Sequence, residues 1–129
     1  MWQWVKSLGI SAFAVLAPVH AVMLAAGVLI VIDLVLGLLA AKKQGIPITS
    51  AALSRTVVKM ALYQIAIVSG FIAEKFLLSD AIPISKLVAG AIGLVESKSI
   101  LENLDILNGG SMFKSAVAAL ASKNDEKKE

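Results

Sequence analysis

The stretch from Val19 to Ala41 constrains this chain more than any other feature. Its body reads HAVMLAAGVLIVIDLVLGLLAA, interrupted only by His20 near one end and by Asp33. Crossing the hydrocarbon core of a bilayer, roughly 30 Å thick, takes about 20 consecutive apolar residues in a helix, and this stretch supplies them. A soluble fold of 129 residues keeps too much surface to hide so large an apolar fraction. Hydrophobic residues make up 58% of the chain and charged ones 16%, against about 45–50% and about 25% in an average soluble domain. Mean hydropathy is +0.86. The expectation is an all-α integral membrane protein.

Three transmembrane helices are predicted, over about residues 19–41, 57–78 and 84–101. Lys42, Lys43, Gln44, Gly45 and Pro47 end the first with charge and helix breakers. A polar connector from Thr49 to Arg55 follows, with Thr49 or Ser50 as N-cap. The second span has Lys59 near its start and Glu74 and Lys75 near its end, where lysines reach the headgroups. The sequence SDAIP, Ser79 to Pro83, predicts a tight exposed turn. The apolar part of the third segment, Ile84 to Val95, is too short to cross alone. It spans only if the helix continues to Leu101, which brings Glu96 and Lys98 to or near membrane depth.

The ends read differently. Trp2 and Trp4 are suited to the headgroup level, so residues 1–17 are expected as an interfacial helix in preference to a fourth span. Lys6 and the apolar residues Leu8 to Ala17 imitate a short signal peptide, but a second apolar stretch follows Pro18 at once. After the break at Asn108-Gly109-Gly110, Ser111 is positioned to cap an amphipathic helix from Met112 to Ala121, with Phe113, Val117 and Leu120 on its apolar face. Residues 1–121 form a single membrane domain in this reading, and 122–129 a charged, disordered tail. The first connector and its flanks carry Lys42, Lys43, Arg55 and Lys59 with no acidic residue, whereas Asp80 and Lys86 cancel in the opposite loop. The positive-inside rule then places the connector and the C-terminus in the cytoplasm.

Asp33 lies about 12 Å from the cytoplasmic end of the first span, at 1.5 Å per residue. A carboxylate there must face the bundle interior, pair with a cation or be protonated. Lys59, entering from the same side, is the nearest partner, either in a structural ion pair or in a path for protons or ions. Small residues recur at four-residue spacing, Gly37 with Ala41, Ala66 with Gly70, and Ala89 with Gly93 and Ser97. Such spacing lets helix backbones approach, within one chain or between copies. On the third segment, Lys86, Ala89 or Gly90, Gly93, Glu96, Ser99 or Lys98, and Asn103 form a polar stripe that suits either a helix contact or, in a ring of copies, an aqueous lumen. Ser99 and Glu102 also match a capping box that would start a separate amphipathic helix. His20 stands alone, as expected for an interfacial histidine. There is no phosphate-binding, nucleophile-elbow or zinc-protease motif and no cofactor signature. The formal charge of +3 comes without a basic stripe or base-stacking aromatics, so nucleic acid is not the expected partner.

One group of residues resembles a known family. Asp33, Gly37, Ala40, Lys42, Gly45 and Ser50, then Arg55 and Lys59, then ESKSILEN from Glu96 to Asn103, are similar to the bacteriophage holin family that includes clostridial toxin-secretion holins. The acidic residue that this family often places within the middle span is represented here by Glu74, late in that segment. The resemblance implies a homo-oligomer in a bacterial cytoplasmic membrane that forms lesions, and it implies a functional link to a cell-wall hydrolase or a toxin. It gives Asp33, Lys59, Glu96, Ser99, Glu102 and Asn103 as helix-pairing or pore residues. A small ion or proton channel, a transporter accessory subunit and a non-conducting membrane scaffold are the competing readings.

Overall fold

The computed structural model describes residues 1–126. Helix accounts for 86% of the structure, with no strand among the described residues. Five helices follow in order: α1 Trp2–Val15, α2 His20–Lys43, α3 Ser50–Ile72, α4 Ile84–Asn108 and α5 Met112–Glu126. A 3-10 turn, Ala17–Val19, joins α1 to α2, and α3 continues as a π-helical turn, Ala73–Leu77.

The joints follow from local chemistry. α2 stops in a Schellman motif: the N–H of Ile46 donates to Ala41 O at 2.9 Å and that of Gly45 to Lys42 O at 3.2 Å. Gly45 takes φ +71°, a conformation that glycine adopts without a steric penalty. α3 starts where Thr49 Oγ1 accepts the N–H of Ala52 at 3.2 Å, the cap its sequence predicts. α4 has no such side chain beside its first residue. Glu74 supplies the anion from the end of α3, its Oε2 accepting from Ser85 N at 3.0 Å and Ser85 Oγ at 2.6 Å. At the other end of α4, Lys43 Nζ donates to Leu107 O at 2.8 Å.

Three expectations need correction. The Ser99–Glu102 capping box starts no new helix; α4 runs unbroken from Ile84 to Asn108. No glycine or proline interrupts Leu94 to Asn108, and nothing there leaves the backbone N–H groups unpaired. The free N–H of Phe113 at the start of α5 is accepted by both Asp105 carboxylate oxygens, at 2.9 and 2.8 Å, where Ser111 was the expected cap. Finally, α5 passes Ala121 and continues to Glu126, with Ser122 Oγ donating to Ala119 O at 2.9 Å. The last three residues of the predicted charged tail lie outside the described residues.

α2, α3 and α4 pack together. Their shared core holds Val19, Ala26, Ile67, Phe71 and Ile92, with Val22, Met23, Tyr63 and Val88 packed around it. Two segments are long and apolar enough to cross a membrane, Ala17–Lys43 at mean hydropathy 2.8 and Ser50–Leu77 at 1.6. Only 11% and 17% of those stretches are buried inside the chain, whereas the core helix of a soluble protein is enclosed. Leu24, Leu62, Ile65 and Leu94 point outward. Such surface is stable only against lipid or other apolar chains.

Candidate functional site

Lys59 stands at the centre of the three packed helices. Its Nζ donates to Asp33 Oδ2 on α2 at 3.0 Å and to Glu96 Oε2 on α4 at 2.9 Å. The second oxygen of Asp33, Oδ1, accepts from Asn103 Nδ2 at 3.1 Å. Tyr63, one turn along α3 from Lys59, packs against the apolar core. One lysine thereby fastens α2 and α4 to α3, and Asn103 ties α4 to α2 a second time. Exposure grades through the cluster: the side chain of Glu96 is 1% exposed, that of Asp33 13% and that of Lys59 31%. The core above it is apolar and excludes water, so each hydrogen bond acts in a medium of low dielectric.

Helix periodicity brings these groups together. Glu96 lies four residues beyond the buried Ile92, and Asp33 three beyond the buried Ile30, so each continues an inward face. Asn103 is two turns along from Glu96 on the same face. Gly37 faces it: a Cβ there would make ordinary contact with Asn103 Nδ2, at 3.5 Å. Next to the cluster a groove of about 300 Å³ opens between the helices, lined by Asp33, Arg55, Thr56, Ser99 and Asn103 among others.

The expected residues divide accordingly. Asp33 and Lys59, on α2 and α3, stand 3.0 Å apart. Glu96 and Asn103 join the same cluster, so two members of the α4 polar stripe face the interior of a single chain. Ser99 is half-buried on the groove. Glu102 stays outside, exposed and 3.7 Å from Lys98 one turn back. Among the small residues, Gly70 lets α3 meet the start of α4: a Cβ there would be 3.2 Å from Ile84 Cγ2 and 3.5 Å from the Ser85 backbone. Ala41 lines the groove. Ala66 is exposed and Ala89 half-buried, and nothing stands within 4 Å of a Cβ at Gly93.

Two features escaped sequence reasoning. Glu74 and Ser85 close the turn between α3 and α4, reinforced by Lys75 on Asp80 at 2.7 Å. Gln64 donates to Met23 O at 3.0 Å while its Oε1 is buried without a partner. An acid and a serine eleven residues apart across a predicted turn were the available signal for the first; a lone amide in an apolar run was the signal for the second. Among the described residues, no three His, Cys, Asp or Glu side chains gather as a metal site requires. The cluster joins α2, α3 and α4.

The model of the bacteriophage holin family matches residues 11–121, which include every member of the cluster. The chain belongs to the bacteriophage holin family. It is therefore a holin-like membrane protein of phage lysis, and the holin family is not a family of enzymes. No curated protein and no solved structure gives a significant match.

Proposed function

We propose that this holin-family chain assembles with copies of itself in the bacterial cytoplasmic membrane and opens lesions wide enough for a folded cell-wall hydrolase or toxin. The observation that carries the reading is the family match over residues 11–121, which takes in α2, α3 and α4. Supporting it, the packed helices turn apolar surface outward and keep ionizable groups at membrane depth, an arrangement associated with pathways across a bilayer.

α4 is the third span in this proposal. Its 25 residues measure about 37 Å, enough for a bilayer core. Glu96, the charge nearest its middle, is paired with Lys59, which it shares with Asp33. Lys86 lies near one end, and Lys98 and Glu102 have side chains long enough to reach toward the other. α1 measures about 21 Å, short of a full crossing, and lies along the outer face with its tryptophans at the headgroups. α5 lies along the inner face, turning the exposed Val117 and Leu120 into the acyl boundary. The basic connector between α2 and α3 and the C-terminus face the cytoplasm.

Graded leakage tests the reading. Induced expression in a bacterium should release a small dye and a folded reporter enzyme together. Passage of ions with retention of the reporter would replace the lesion with a small channel, the reading that the Asp33–Lys59–Glu96 cluster favours. Retention of both would leave a scaffold.

A further inference from the structure

Glu96 and Asn103 are the α4 groups at membrane depth best suited to line water, and both are engaged inside a single chain. Their partners Lys59 and Asp33 are engaged with them. A lumen and this cluster therefore compete for one set of side chains. We propose that the Lys59-centred cluster is an intrachain latch, which holds α4 against α2 and α3 in a closed form and has to part before α4 can line an opening. The latch rests on the lesion-forming function proposed above.

Four observations support it. α4 is the least apolar of the three: the stretch from Ile84 to Leu101 carries Lys86, Glu96 and Lys98, whereas α2 and α3 have the length and composition of membrane spans. The outward face of α4 in the closed form mixes Leu87, Leu94 and Val95 with Lys98 and Glu102, so it is not the continuous polar face that a lumen needs. One ammonium serves two carboxylates, so the cluster carries a formal charge of −1 and the anions repel across their shared cation. Such a lock is weaker than two separate ion pairs, as a releasable contact must be. The groove lined by Thr56, Ser99 and Asn103 leads to Asp33, giving water a place to enter as the latch parts.

The chain has no cysteine, so an engineered bridge is unambiguous. With Gly37→Cys and Asn103→Cys, the bridged positions are neighbours across α2 and α4, since a Cβ at position 37 lies 3.5 Å from Asn103 Nδ2. The full chain is reconstituted in vesicles that contain a folded fluorescent protein. The oxidised double variant should retain the cargo, and added reductant should release it. Equal release before and after reduction would overturn the latch and leave the lesion reading standing. Failure of the bridge to form in the membrane would overturn it too, by placing the helices apart. If the parent chain never releases cargo, the lesion reading fails and the latch fails with it.

A second comparison does not depend on the bridge. Lys59→Glu and Glu96→Lys should each release cargo prematurely, and the double exchange should restore the parental delay. If the single variants do not insert, the double still decides: parental delay supports the latch, and premature release overturns it.

Discussion

Lys59 holds two anions with one ammonium, and each neighbour depends on it. Replacing Lys59 with methionine keeps the length and strands Asp33 and Glu96 without a cation. Removing one partner of a buried ion pair costs about 3–5 kcal/mol, so Lys59→Met is expected to lower stability by that order in mixed-micelle unfolding. Asn103→Ala removes one neutral donor and should lose about 0.6–2 kcal/mol, the range of hydrogen bonds between membrane helices. Parental stability of Lys59→Met would show that the cluster does not form in lipid. The two glycines of the α3 and α4 stripes should behave oppositely. Gly70→Leu pushes against Ile84 and Ser85, with an expected loss of about 1–3 kcal/mol from overpacking. Gly93→Leu meets open space and should leave unfolding unchanged. Its effect should instead be on self-association, read as a change in cross-linked species.

Part of this site was legible before any coordinates. A carboxylate deep in one apolar run and a lysine entering the next from the same side define a pair, because lipid leaves each few alternatives. Glu96 was legible only as a polar residue on a helix with two faces. Whether that face looks toward a lumen or toward Lys59 is set by the rotation of α4, and periodicity within one helix carries no information about its rotation against another. Gly37 and Gly93 sat on equally plausible stripes for the same reason.

At the scale of elements, apolar length and breakers placed α2 and α3 well, and Thr49 and Gly45 mark their facing ends. The unbroken course of α4 was hidden by its capping-box pattern, which is a local signal overridden by packing along the inner face. α1 offers a test of its own. Trp2 and Trp4 are the only tryptophans in the chain, so indole fluorescence reports on α1 alone. Both are largely exposed, and Lys6 Nζ stands 5.4 Å from the Trp2 ring. An interfacial α1 should be quenched most by lipids brominated near the headgroup. Strongest quenching by bromines near the bilayer midplane would make α1 a fourth span.

For the whole molecule, the proposed crossing of α3 puts the connector after α2 and the turn after α3 on opposite sides of the membrane. Gln44→Cys and Ala81→Cys, each the sole thiol in its variant, should react with a membrane-impermeant reagent from the inner and outer face respectively. Labelling of both from one face would remove α3 as a crossing; exchanged sides would invert the orientation and place α5 outside.

The linking loop of α2 and α3 is only six residues, Gln44 to Thr49, so in the proposed topology this pair enters the membrane as a hairpin. Asp33 and Lys59 then emerge from the ribosome 37 residues ahead of Glu96 and can pair before it arrives. At about 5–20 residues per second, the wait lasts about 2–7 s. During that interval the nascent hairpin is a neutral pair, and arrival of α4 adds the unmatched negative charge. Birth order thus gives every new copy a quiet beginning and leaves the excess anion to the segment made last.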